Sequence, residues 1–78
     1  MNPPVVHVET RDNYRLFLQF ENGEQKIFDV SPYLEKGVFT ELKDPQYFAE
    51  IRIAFGSIEW PNGQDFSRDT LYLLGTPA

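Results

Sequence analysis

Apolar and polar residues alternate over the first third of this chain and again from Ile51 to Trp60, as strands with one buried face require. Val5-Val6-His7-Val8-Glu9-Thr10 is rich in β-branched residues. Its alternation places Val6 and Val8 on one face, and Val5, His7 and Glu9 on the other. Arg11-Asp12-Asn13 predicts a turn. Tyr14 to Phe20 is the clearest strand: Tyr14, Leu16, Leu18 and Phe20 share one face, while Arg15, Phe17 and Gln19 share the other. Glu21-Asn22-Gly23 then folds the chain into a hairpin. A two-residue loop would set Glu21 opposite Glu24, two like charges, which is unfavourable. A three-residue loop with Gly23 left-handed sets Leu16 opposite Phe28, Tyr14 opposite Val30, Arg15 opposite Asp29 and Phe17 beside Ile27. The second register is the expected one.

The period changes after Val30. Ser31 is placed as a helix N-cap, Pro32 at the first helical position and Gly37 at the stop. Val38 to Lys43 reads as a turn of helix or a loop, with Phe39 and Leu42 inward. Asp44-Pro45 repeats the cap-then-proline pattern, and Tyr47, Phe48 and Ile51 follow at helical spacing. Ile51 to Phe55 predicts a strand with Ile51, Ile53 and Phe55 inward, turning at Gly56-Ser57 into Ile58-Glu59-Trp60. Pro61 has no N–H for a ladder and ends that strand, and Asn62-Gly63 turns the chain. Asp65 or Ser67 caps a final helix, and Gly75 to Ala78 reads as a tail. The sum is a single α+β domain over residues 1–78: a small antiparallel sheet with short helices packed on one face, in the order β-β-β-α-α-β-β-α.

Composition narrows the function. The chain has 78 residues, no cysteine and a formal charge of −5. Thiolate chemistry and disulfides are excluded, and a soluble cytoplasmic protein is expected, with no membrane span and no secretory signal. The seven basic residues are scattered. Nucleic-acid affinity comes mostly from clustered Lys and Arg, so nucleic acid is not an expected partner, whereas a basic protein is. A domain this small also gains from self-association.

Candidate chemistry is sparse. His7 has no orienting acid or nucleophile at a recognisable spacing and reads as a sheet-surface residue, so no enzyme is expected. No cofactor is implied. Asp29, Glu59 and Asp65 are the carboxylates that one end of the sheet would gather, which leaves a small-molecule or metal-binding domain as the alternative. Phe17 and Ile27 form an apolar spot amid Arg15, Gln19, Gln25 and Asp29, and such a spot on an uncovered face suits a partner. Glu59, Trp60 and Asp65 flank the Asn62-Gly63 turn as a second contact region.

The series Phe28-Asp29-Val30, Tyr33-Leu34, Gly37-Val38-Phe39, Leu42-Lys43-Asp44-Pro45 and the terminal Trp60-Pro61-Asn62-Gly63-Gln64-Asp65 resembles the small bacterial family catalogued as domain of unknown function number 2442. The likeness covers nearly the whole chain. It implies an α+β fold and brings no catalytic residues with it. Proposals of toxin–antitoxin pairing for such genes make the expected function a non-enzymatic protein-binding module, the acidic, antitoxin-like partner of a two-protein system.

Overall fold

A computed structural model, which describes residues 2–78, shows two small antiparallel sheets joined by short helical segments. The first sheet contains β1 (Val5–Arg11), β2 (Arg15–Phe20) and β3 (Gln25–Asp29). The second contains β4 (Arg52–Ala54), β5 (Ser57–Glu59) and β6 (Asp65–Phe66). Two 3-10 segments, Ser31–Tyr33 and Gly37–Lys43, and the short helix α1 (Pro45–Phe48) link them, and α2 (Arg68–Leu74) follows β6. The α+β class and the broad order of elements hold. The single expected sheet is two, and the expected tail supplies β7 (Thr76–Pro77), which pairs with β3 at the far edge of the first sheet. Nothing in a Gly-Thr-Pro stretch marks a strand. What places it is the end of α2, pinned to β3 where Lys26 Nζ donates to the Tyr72 carbonyl at 2.6 Å.

The first hairpin has the expected register: Arg15 pairs with Asp29, Leu16 with Phe28 and Phe17 with Ile27. Its turn occurs twice in the molecule. In Phe20-Glu21-Asn22-Gly23-Glu24 and in Trp60-Pro61-Asn62-Gly63-Gln64, the aromatic N–H donates to the carbonyl of the fifth residue, and the glycine N–H donates back to the aromatic carbonyl, every bond 2.9 Å. Gly23 and Gly63 have φ of 89° and 93°, the left-handed backbone that lets a three-residue loop close.

Three local expectations are corrected, and the choice between two caps for the last helix is decided. In β1 the register shifts between Val5 and His7. Val5 is buried opposite Phe20, Val6 is the exposed extra residue, and Val8 packs against the core opposite Leu18. A bulge of this kind resets the alternation, so Val5 and Val8 point inward rather than Val6 and Val8. The second hairpin turns at Phe55-Gly56, with Ala54 opposite Ser57. Because β4 is an edge strand, Ile53 is 40% exposed, and Ile58 on the central strand takes the core position, while Phe55, at the turn itself, is 100% exposed. Ser31 is not the cap of its segment. Its N–H and hydroxyl donate to Asp29 Oδ1 at 3.0 and 2.7 Å, so Asp29 orders that corner. Ser67, rather than Asp65, caps α2 by accepting from Thr70 N at 3.1 Å. Asp44 caps α1 as expected, accepting from Gln46 N at 3.0 Å.

The core lies between the sheets. Leu16, Leu18, Phe20, Phe28 and Val30 from the first half meet Leu42, Phe48, Ile58, Trp60, Phe66 and Leu71 from the second. A continuous run of rings crosses it, from Tyr14 to Phe48 (5.3 Å between centroids), Phe48 to Trp60 (5.8 Å), Trp60 to Phe66 (6.2 Å) and Phe66 to Phe28 (5.0 Å). Aromatic side chains each bury a large area, which is how so short a chain assembles a core without cross-links.

Candidate functional site

The first sheet buries one face and leaves the other uncovered. Across that open face Glu9, Phe17 and Ile27 form one row, and Arg11, Arg15 and Asp29 form the next. Phe17 and Ile27 are only partly buried, so the apolar spot predicted at this place exists. Its cover comes from β1. The Arg11 guanidinium lies 4.9 Å from the centroid of Phe17, and His7 meets the same ring edge-on at 6.4 Å. Both side chains also hold Glu9: His7 Nε2 and Arg11 Nη1 each lie 2.6 Å from one of its carboxylate oxygens. This clamp was not readable from the sequence, where His7, Glu9 and Arg11 carry no sign of what lies across the sheet.

The hydrogen bond from His7, and then that from Arg11, hold the Glu9 carboxyl below its ordinary value, with desolvation opposing them. A carboxylate whose pKa is lower folded than unfolded contributes stability above its unfolded pKa and loses it as pH falls through the folded value. The Tm of the wild type is therefore expected to fall between about pH 5 and pH 3, and Glu9→Gln is expected to make that fall shallower. Parallel Tm curves for the two proteins would show that the clamp does not couple to folding.

Arg15 and Asp29 are cross-strand neighbours, but each is engaged elsewhere. Arg15 Nε donates to the Asp12 carbonyl at 3.0 Å, and Asp29 serves Ser31. The second expected region divides. Trp60 is 0% exposed, with its indole N–H donating to the Phe48 carbonyl at 2.9 Å, so it offers nothing to a partner and serves as a core anchor. Glu59 and Asp65 are outward and directly opposite each other on β5 and β6. Arg52 Nη2 neutralises Glu59 at 2.6 Å, and a shallow groove of about 350 Å³ runs beside the two carboxylates. Asp29 belongs to the other sheet. Among the described residues no group of three or more His, Cys, Asp or Glu side chains is placed to hold a metal ion, and no helix is long and apolar enough to cross a membrane.

What the Trp60–Asp65 turn does instead is join the halves of the molecule. Gln64 is a buried polar side chain, 4% exposed. Its amide nitrogen donates to the Val38 carbonyl at 3.0 Å and to Glu41 Oε1 at 2.8 Å, and its oxygen accepts from the Tyr47 hydroxyl at 2.6 Å. That hydroxyl in turn accepts from Asn62 N at 2.8 Å, while Asn62 Nδ2 donates to Glu41 Oε2 at 2.7 Å. The one buried member, Gln64, has both its amide nitrogen and its oxygen satisfied, as a buried polar side chain must to favour one structure. No curated protein and no solved structure matches the chain. Residues 5–77, a span that includes both the open face and this turn, match the family described as Protein of unknown function (DUF2442), and the chain belongs to that family.

Proposed function

We propose that this protein is a non-enzymatic binding module whose open sheet face docks a basic protein, as the acidic, antitoxin-like member of a cytoplasmic two-protein system. The observation that carries the reading is the Phe17–Ile27 pair. It lies on an uncovered face, apolar in the middle and ringed by charge, which is the anatomy of a docking patch. The sign of the partner rests on the chain's net charge of −5.

The test is capture from native extract at low salt with tagged wild type and with Phe17→Glu. The wild type is expected to retain one small basic protein in stoichiometric amount and to release it at roughly 0.5 M salt, where exposed charges are screened. Phe17 is outside the core, so Phe17→Glu should keep the circular dichroism spectrum and lose the partner. Equal retention by the folded variant would remove this face from the proposal.

A further inference from the structure

The edge of the first sheet at β3 is covered by a strand of two residues. Thr76 lies opposite Ile27, and just beyond it Ala78 N donates to the Gln25 carbonyl at 3.0 Å. These contacts set the phase of the ladder: Gln25 and Ile27 turn their backbone groups to β7, while Lys26 and Phe28 turn theirs to β2. Pro77, opposite Lys26, therefore faces outward, where its missing N–H offers nothing to a further strand. Very short strands and outward prolines are means of blunting a sheet edge. At the opposite edge β4 packs beside β1, and Val5 N donates to the Gly56 carbonyl at 2.9 Å. Without β7, β3 would be an open edge from Gln25 to Asp29.

This strap is held by little. Thr76, Pro77 and Ala78 are all exposed and contribute nothing to the core. The preceding helix is anchored without it, by the buried Leu71 and by Lys26 on the Tyr72 carbonyl. The joint between helix and strap is Gly75, at an ordinary φ of −67°. Glycine is there for room: a Cβ would stand 2.6 Å from the Leu71 carbonyl oxygen and 3.2 Å from Lys26 Cβ. Exposed segments held by a few backbone bonds open at the low end of local stability. Opening at Gly75 bares the β3 edge and leaves both sheets in place. Leu73 and Leu74, 70% and 60% exposed, stand at the root of the strap with no core to serve.

We propose that β7 is a releasable guard, and that two copies whose straps are open pair antiparallel through β3. The segment is complementary to itself. With a two-fold axis at Ile27, the whole of β3 is paired and Gln25 meets Asp29 of the other copy on both sides of the axis. The Phe17–Ile27 row then continues across the junction. An axis at Lys26 would oppose two ammonium groups, and an axis at Phe28 would leave Gln25 and Lys26 outside the paired stretch. The junction uses the backbone of Ile27 rather than its side chain, so it stands or falls apart from the docking of a basic protein.

Both copies must open, so the dimer constant carries the square of the open fraction. Sedimentation equilibrium of the purified chain from about 10 μM to 1 mM reads the association. Gly75→Val has no room for a seated strap. If about one wild-type strap in ten is open, this variant should dimerise about 100-fold more tightly than the wild type. Thr76→Pro removes the N–H that the strap turns toward Ile27, without crowding Lys26, and should act in the same direction. Adding Gln25→Cys and Ala78→Cys to Thr76→Pro makes a lock, because the chain has no other cysteine. Oxidised at dilution, that protein should be monomeric, and after reduction it should dimerise again. In the wild type the Ile27 amide should exchange with solvent about 10-fold or more faster than the Phe28 amide, since opening the strap frees only the first. Folded open-strap variants that stay monomeric to 1 mM, a dimer that survives oxidation of the lock, or Ile27 and Phe28 amides exchanging at one rate would each overturn the proposal.

Discussion

Trp60→Ala is expected to bring this domain to the edge of unfolding at room temperature. The indole is 0% exposed, packs against Phe48 and Phe66, and closes its one polar group on the Phe48 carbonyl. Truncating a buried tryptophan to alanine costs about 3–5 kcal/mol in lost burial and residual cavity. A domain of this size has a total stability of about 5 kcal/mol, so that loss consumes most of it. Urea unfolding followed by far-ultraviolet circular dichroism measures the change. Trp60→Phe calibrates it: most of the packing stays, the Phe48 carbonyl loses its donor, and a drop of about 1–3 kcal/mol should follow in a protein that still folds. A well-folded Trp60→Ala protein with an unaltered urea midpoint would show that the two sheets hold together without the indole.

Gln64→Leu is the second large effect. Leucine has a similar size, so the loss is almost purely polar. The Val38 carbonyl loses its side-chain donor and Glu41 one of its two, while the Tyr47 hydroxyl loses its acceptor. Groups left unsatisfied in a buried site cost about 1–3 kcal/mol each, and about 2–4 kcal/mol is expected in total because Tyr47 and Glu41 keep their bonds to Asn62. Gln64→Glu separates geometry from charge. It sets a second carboxylate against Glu41 and should be the worse variant at neutral pH. Like-charge repulsion favours protonation of the carboxyl introduced at position 64, so the deficit should shrink as pH falls toward about 4. A Gln64→Leu protein as stable as the wild type would mean that the network merely accompanies the docking of the two halves.

The parts legible in the sequence are those in which short-range rules agree. The β2–β3 register followed from avoiding a Glu21–Glu24 pair and from matching Leu16 with Phe28, and the structure has it. Asp44-Pro45 announced a capped helix start in the same local way. The misses are places where tertiary context decides. An extra residue at Val6 leaves no trace in composition, yet it turns the start of β1 over. Phe55 continues an alternating pattern that cannot reveal that the strand has already ended and the chain is turning there. Thr76 and Pro77 become a strand only because α2 delivers them to β3. The open face was legible because alternation always defines two faces, and Phe17 and Ile27 were assigned to the right one. The clamp over Phe17 was not, because it depends on β1 lying beside β2. Trp60 beside a turn reads equally as surface or anchor, and only burial separates the two.

The repeated Asn-Gly turn also sets how this protein ages. Asparagine followed by glycine is a chemically labile pair: the glycine nitrogen attacks the side-chain carbonyl, ammonia leaves, and water hydrolyses the ring that forms to a carboxylate. In the folded chain both glycine nitrogens are occupied, donating to the carbonyls of Phe20 and Trp60. Asn22 is held by Glu24 and Asn62 by Glu41. The reaction therefore proceeds mainly through molecules in which a turn has opened, and its rate follows the unfolded fraction. At Asn62 the product would replace a donor to Glu41 with a second negative charge in the network that joins the halves. Damage there promotes the opening that allows more damage, so the lifetime of the protein should shorten far more steeply than its stability when that network is weakened.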